Sequence, residues 1–79
     1  MSLSNLVGEA VKLVVNEPDS VQVSSNKDRG AVIYNVSVAP NDVGRVIGKD
    51  GRVVSSIRQL VGAAGAKANE KAIVKIKTD

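Results

Sequence analysis

Residues 42–54 read DVGRVIGKDGRVV, a stretch in which two glycines, Gly48 and Gly51, separate two apolar segments. A short helix is predicted before Gly48, and Asn41 or Asp42 is able to cap its first N–H groups. A longer helix is predicted after Gly51, with an apolar stripe that consists of Val54, Ile57, Leu60, Val61, Ala64 and Ala68. Because glycine has no Cβ, the backbone between the helices can turn sharply and a ligand can approach it closely.

The loop over 48–51 is predicted to bind an anion. The first N–H groups of the following helix have no partner inside the helix, and the helix dipole places partial positive charge there. Arg45, Lys49 and Arg52 surround the loop, and each can neutralise a phosphate group. A sugar-phosphate backbone is therefore the expected ligand. Asp50 lowers the affinity for phosphate unless its carboxylate points away from the ligand or caps the following helix.

Other glycine-rich motifs do not fit this loop. A phosphate-binding loop of the Walker A type needs four residues between its glycines and then Lys followed by Ser or Thr. Here three residues separate Gly44 from Gly48, and Asp50 follows Lys49. The dinucleotide-binding pattern G-x-G-x-x-G needs a glycine where Val46 stands, and it should directly follow a strand. The sequence therefore excludes both nucleotide-binding motifs.

The remainder of the chain completes an α+β pattern. Its predicted elements are a helix over 3–15, strands over 21–23, 31–39 and 72–77, and a polar loop over 25–30. With the two helices around the glycines, the order is α-β-β-α-α-β. A two-helix crossover normally returns right-handed and lays its strand parallel to the first, which makes the second strand central.

The predicted architecture is a two-layer α+β domain over 1–79, in which three helices cover one face of a three-stranded mixed sheet. Tyr34, the only aromatic residue, is expected in the core rather than as a stacking platform for bases. Gly62 and Gly65 either loosen the end of the long helix or permit close packing. The uncovered sheet face is expected to contact water through Gln22, Asn35, Ser37 and Lys75.

The composition limits the possible functions. The 79 residues are 43% hydrophobic and 24% charged, carry a net charge of +3 and accommodate one domain. The chain has no Cys and no His, so we expect no disulfide, metal, cofactor or enzymatic activity. No apolar run approaches the roughly 18 residues that span a membrane, and no secretory signal is visible, which predicts a soluble cytoplasmic protein. The basic surplus lies after residue 24, so an anionic partner should contact that part.

Residues 46–54 resemble the V-I-G-x-x-G-x-x-I signature of the KH domain. The α-β-β-α-α-β order resembles the type II, prokaryotic form of that fold. The chain is more closely similar to the small bacterial single-KH proteins of the KhpA type. The similarity lies in the length, the first amphipathic helix, the segment DVGRVIGK over 42–49, the pair Gly51 and Arg52, and the Ala-rich segment over 63–67.

This resemblance implies a protein that binds single-stranded RNA without chemistry. The KH loop clamps about four nucleotides of a strand by their backbone. By this resemblance, the residues of this chain that are expected to contact the RNA backbone are Gly48, Lys49, Asp50, Gly51, Arg45 and Arg52. Ile47 and Val54 are expected on the floor of a groove for the bases. The resemblance also implies an RNA chaperone that pairs with a KH protein of the KhpB (Jag/EloR) type and affects cell-wall synthesis and cell shape.

Two other functions remain open. The chain can instead be an interaction module that forms a homodimer or docks on a partner, with the RNA held by that partner. Val53, beside the apolar stripe, is either part of such a surface or an ordinary exposed valine. An enzyme is disfavoured, because Asp42 and Asp50 flank the loop but no base, nucleophile or metal set surrounds them. Arg58 is either a phosphate ligand or a solvated side chain.

Overall fold

Within residues 2–77, the part of the chain that this computed structural model describes, three α-helices and three strands follow the order predicted from the sequence. The helices are α1 (Leu3–Lys12), α2 (Val43–Ile47) and α3 (Arg52–Lys67), and the strands are β1 (Gln22–Asp28), β2 (Ala31–Ser37) and β3 (Lys71–Ile76). Short 3-10 turns precede β1, α2 and α3, over Pro18–Ser20, Pro40–Asp42 and Lys49–Gly51.

The sheet has the order β1-β2-β3, with β1 antiparallel and β3 parallel to β2. The hairpin between β1 and β2 closes at Arg29 and Gly30, whose φ values are 52° and 81°. Two positive φ values in succession are what a two-residue hairpin turn of type I′ requires. The crossover through α2 and α3 then returns the chain to the other edge of β2. These pairings confirm the predicted mixed sheet with its second strand in the centre.

The predicted polar loop over 25–30 is wrong for residues 25–28, which extend β1. β1 is an edge strand, and all its residues except Val23 are exposed. An exposed edge needs no alternation of apolar and polar residues, so the usual strand pattern is missing from the sequence. The strand is held by its backbone ladder and by a side-chain hydrogen bond in which Asn35 Nδ2 donates to Asn26 Oδ1 at 2.9 Å.

The core lies between the sheet and the three helices. Its buried members are Val7, Val11, Tyr34, Val36, Val46, Ile57, Val61 and Val74. The cap of α1 is Ser2, whose Oγ accepts a hydrogen bond from the N–H of Asn5 at 3.1 Å. The helix ends at Lys12, earlier than the predicted end at residue 15. Val14 and Val15 still pack against the core, which explains why the apolar periodicity continues beyond the helix.

The buried face of α3 is narrower than predicted. Its buried residues are Val54, Ile57, Val61 and Gly65. Leu60 is 50% exposed and Ala68 is exposed, so the prediction that both belong to the apolar stripe is wrong. The spacing of three, four and four residues follows one narrow line along a helix of 3.6-residue period. A sequence pattern cannot separate this line from the neighbouring apolar positions.

Gly65 allows α3 to pass close to the start of β3. A Cβ at this position would lie 2.7 Å from the carbonyl oxygen of Glu70 and 3.2 Å from the Cβ of Ala72. The N–H of Glu70 donates to the carbonyl of Gly65 at 2.7 Å, after Asn69 reverses the chain with a φ of 56°. At Gly62, by contrast, a Cβ would meet nothing within 4 Å. Close packing therefore accounts for Gly65, and no packing contact requires Gly62.

Tyr34 lies in the core, as predicted, and is 4% exposed. Its hydroxyl donates a hydrogen bond to Glu70 Oε2 at 2.6 Å. Burial raises the pKa of Tyr34 to about 12, and the hydrogen bond to Glu70 and the negative charge of that carboxylate act in the same direction. The side chain joins β2 to the turn between α3 and β3, and its ring is not available for base stacking.

Alanine substitutions of the two glycines in α3 should have opposite effects on stability. Gly65→Ala forces a Cβ against the backbone carbonyl of Glu70 and is expected to lower the free energy of unfolding by about 1–3 kcal/mol. Gly62→Ala is expected to raise it by up to about 1 kcal/mol, because alanine favours the helix. Urea denaturation followed by circular dichroism measures both changes. Changes of equal size and sign would contradict the close packing at Gly65.

Candidate nucleic-acid interface

Gly48 ends α2 in a conformation that is essentially restricted to glycine. Its φ is 77° and its ψ is 173°. Its N–H donates to the carbonyl of Gly44 at 2.8 Å, which closes the last turn of α2. A Cβ at Gly48 would lie 2.9 Å from the backbone nitrogen of Val53 and would overlap the Val53 side chain. The dihedral angles and the packing of Val53 both require a glycine at this position.

The next three residues, Lys49–Gly51, form a cup of backbone N–H groups, hereafter the amide cup, in which the N–H of Gly51 already donates to the carbonyl of Gly48 at 3.2 Å. Lys49 is helical, whereas Asp50 has a φ of 57° and a ψ of 26°, and Gly51 has a φ of 74° and a ψ of 16°. A helical residue followed by a left-handed one directs successive N–H groups towards one concavity, which is a general anion-binding arrangement. None of the turn, loop and cap hydrogen bonds within residues 2–77 uses the N–H group of Lys49 or Asp50.

Asp50 belongs to the few residue types that enter the left-handed region readily, which suits its position in the amide cup. Its side chain is exposed, and no side-chain hydrogen bond caps the N-terminus of α3. The alternative that Asp50 caps α3 is therefore wrong. At Gly51 a Cβ would meet nothing within 4 Å, so the cup is open on this side.

Neither Asn41 nor Asp42 caps α2 with its side chain, contrary to the prediction. Asp42 is instead 1% exposed, and its carboxylate accepts the N–H of Asn16 at 3.0 Å and that of Glu17 at 2.9 Å. These two N–H groups lie beyond the end of α1 and would otherwise need other acceptors. The two N–H groups occupy both carboxylate oxygens of Asp42. The side chain therefore points towards the segment after α1 and does not cap α2. The partners are 26 and 25 residues away, and no sequence pattern indicates the contact.

Arg45, in the last turn of α2, is held by two partners. Its Nε lies 3.5 Å from Asp42 Oδ1. In the amide orientation that satisfies both side chains, Asn16 Oδ1 accepts hydrogen bonds from Arg45 Nε at 3.1 Å and from Nη2 at 3.0 Å. The side chain of Arg45 is nevertheless 56% exposed, so it is restrained and accessible at once. Asn16 was missed by the sequence reasoning, because it is far from the loop along the chain.

The other predicted site residues differ in exposure. Lys49 and Arg52 are exposed, and within residues 2–77 neither takes part in an ion pair. Ile47 is half-buried next to Gly48. Val54 is 7% exposed and offers little surface to a base. Ile47 is therefore the better placed of the two residues expected on the floor of the groove.

Val53 is not an ordinary exposed valine. It is half-buried, packs against the core and lies over Gly48. Leu60 lies about two helical turns further along α3, on the same side of the helix, and is 50% exposed. The two residues give this side of α3 an apolar character.

Arg58 contacts the sheet rather than the loop. Its Nε donates a hydrogen bond to the carbonyl of Val74 at 3.2 Å. Because β3 is an edge strand, its outward carbonyl groups have no ladder partner, and Arg58 supplies a donor for one of them. This contact gives Arg58 a structural role that is independent of phosphate.

The described part of the chain has positively charged side chains and backbone N–H groups near the loop, but no cluster of metal-binding side chains. Within residues 2–77, no group of three or more His, Cys, Asp or Glu side chains could hold a metal ion. No helix in the same range has the length and apolar content to cross a membrane. The groups around the amide cup suit an anionic ligand.

Residues 4–76 match the family described as KhpA/KhpB, KH domain. A protein of Caldanaerobacter subterraneus subsp. tengcongensis, named RNA-binding protein KhpA, is 40% identical over 74 residues, which cover 94% of this chain and 99% of the relative. A protein of the same name from Clostridium acetobutylicum is 39% identical with the same coverage. Another, from Streptomyces coelicolor, is 40% identical over 65 residues, which cover 82% of each chain.

Two solved structures of Era share the fold. One is Aquifex aeolicus Era bound to GDP and aluminium fluoride, with a TM-score of 0.66 and 16% identity over 94% of this chain. The other is Era in complex with MgGDPNP and nucleotides 1506–1542 of 16S ribosomal RNA, with the same TM-score of 0.66 and 16% identity. The chain spans 29% and 28% of these two proteins. At this identity the likeness shows the fold alone.

Proposed function

Because this chain belongs to the KhpA/KhpB KH-domain family, we propose that it binds single-stranded RNA through the loop over 48–51 and catalyses no reaction. The observation that carries the proposal is the amide cup. Its Lys49 and Asp50 N–H groups are not used by the loop's own hydrogen bonds, and positive side chains adjoin it. The relatives named RNA-binding proteins support RNA as the ligand.

In this proposal a phosphate of the RNA occupies the amide cup. Its oxygens accept hydrogen bonds from the N–H groups of Lys49 and Asp50, and the charges of Lys49 and Arg52 neutralise this and the neighbouring phosphates. At Gly51, where a Cβ would meet no protein atom within 4 Å, the missing side chain leaves the sugar-phosphate backbone room to approach the loop. Asp50 is tolerated because its backbone N–H serves the ligand while its side chain is exposed.

The bases lie beyond the loop, where Ile47 presents a half-buried apolar surface. A KH loop accommodates about four nucleotides, so one domain should bind weakly and with little sequence preference. Weak single sites become useful when two of them act on the same strand, since the second contact is then intramolecular. The proposal therefore includes a partner that carries a second site.

The apolar side of α3 favours such a partner contact. Val53 and the 50% exposed Leu60 lie on the same side of the helix and give a partner apolar surface to cover. The occupant proposed here is a second copy of the chain or a KH protein of the KhpB (Jag/EloR) type. The family resemblance supports a cytoplasmic RNA chaperone that acts with this partner in cell-wall synthesis and cell shape.

Reversing the charge of Lys49 should weaken RNA binding strongly. Lys49→Asp is expected to raise the Kd for a fluorescent single-stranded oligonucleotide by about tenfold or more, and to lower the slope of log K against log salt by about one. Lys71→Asp is the matched control, because Lys71 is also exposed but lies at the start of β3. Equal effects of the two variants, or binding that ignores salt, would contradict the loop as the RNA site.

Introducing a charge at Leu60 should disrupt self-association or partner binding. Leu60→Glu is expected to convert a concentration-dependent dimer, or a complex with a KhpB-type protein, into monomers in sedimentation velocity experiments. Gln59→Glu is the control, since residue 59 is exposed but lies on another side of α3. A complex that survives Leu60→Glu would refute this surface. A wild-type chain that associates but does not bind RNA would instead favour the interaction module.

A further inference from the structure

The carboxylate of Asp42 is buried at the start of α2, the helix that precedes the loop. It is 1% exposed and has three partners, the N–H groups of Asn16 and Glu17 and the guanidinium of Arg45. A buried carboxylate is costly without such partners. This contact fixes the chain after α1 against the start of α2, although the two segments are 26 residues apart.

The side chain of Asn16 completes the arrangement. Its Oδ1 accepts hydrogen bonds from both Nε and Nη2 of Arg45, which is one edge of the guanidinium. Arginine has five N–H donors, and these contacts do not involve Nη1. The guanidinium therefore keeps a second edge, formed by Nη1 and Nη2, with which arginine can bind a phosphate through two parallel hydrogen bonds.

Arg45 differs in this respect from the other cations near the amide cup. It precedes Gly48 by three residues, in the last turn of α2, and its guanidinium is held in one orientation. Lys49 and Arg52 are exposed and lack ion pairs within residues 2–77, so they must be ordered when a ligand binds. Ordering a long side chain at an interface costs roughly 0.5–1.5 kcal/mol, and a side chain that is already held avoids most of this cost.

We infer that Asp42 and Asn16 are positioning residues, which hold the Arg45 guanidinium in advance for a phosphate of the RNA bound at the amide cup. The inference rests on the proposed function and extends the RNA-binding unit beyond the glycine loop. It adds the segment after α1 to that unit. Neither Asp42 nor Asn16 needs to touch the RNA.

A double-mutant cycle between Asn16 and Arg45 tests this inference. Asn16→Ala should weaken binding of a fluorescent single-stranded oligonucleotide by about two- to tenfold, the range expected for ordering one long side chain. Because Asn16 acts through Arg45, the double variant should bind no more weakly than Arg45→Ala alone. Asn16 is exposed, so its removal leaves the core intact, and Asn41→Ala is the matched control at an exposed position next to Asp42.

The sign of the effect at Asp42 separates positioning from simple electrostatics. Asp42→Asn removes a negative charge and raises the net charge from +3 to +4, which by charge alone should tighten RNA binding. Positioning predicts weaker binding, with the Kd corrected for the folded fraction measured by circular dichroism. Arg45→Lys keeps the charge but loses the planar guanidinium with its two edges of N–H donors. This variant should therefore also bind RNA more weakly than the wild type.

The possible outcomes are distinguishable. The inference is overturned if the fold-changes in Kd of the two single variants multiply in the double variant. It is also overturned if Asn16→Ala binds RNA like Asn41→Ala. In both cases Lys49→Asp still weakens binding, so the proposed function stands. A tighter Asp42→Asn complex would overturn it as well. If Lys49→Asp has no effect, or if the wild type binds no RNA, the proposed function fails and the inference fails with it.

Discussion

The loop depends on one backbone conformation, that of Gly48. Its φ of 77° and ψ of 173° turn the chain out of α2 directly after Ile47 and allow Val53 to pack over the turn. If α2 continued instead, the N–H groups of Lys49 and Asp50 would be consumed by helical hydrogen bonds. The same glycine therefore ends a helix, seats the start of α3 and leaves donors for a ligand.

A helix of five residues such as α2 is too short to be stable alone, so tertiary contacts must hold it. Val46 packs α2 into the core, and Gly48 fixes its end. Asp42 fixes its start by accepting two N–H groups from the segment after α1. The hydrogen bonds of Asp42 make α1 part of the support of the loop, although α1 carries none of the predicted phosphate ligands. Binding by backbone groups needs this rigidity, because N–H groups act only where the backbone holds them.

Most of the fold could be predicted from the sequence because it depends on local patterns. Apolar periodicity indicated the helices and the central strand, and the two glycines located the loop. The exceptions depend on contacts between distant segments. Residues 25–28 join the sheet through ladder bonds rather than burial, and the exposure of Leu60 depends on which line of α3 meets β3. The contacts of Asn16 with Asp42 and Arg45 link segments that no spacing rule connects, whereas Asp42 and Arg45 stand three residues apart, as neighbours on a helix do.

The central claim, that backbone N–H groups of the amide cup bind the phosphates of RNA, is tested most directly by the amide resonances themselves. A titration of the ¹⁵N-labelled protein with single-stranded RNA, followed by ¹H–¹⁵N correlation spectra, reports on each N–H group. We predict that the largest shifts occur at Lys49 and Asp50, with smaller shifts at Gly51 and Arg45. Loop resonances that stay in place while those of the uncovered sheet face or of Leu60 move would contradict the account.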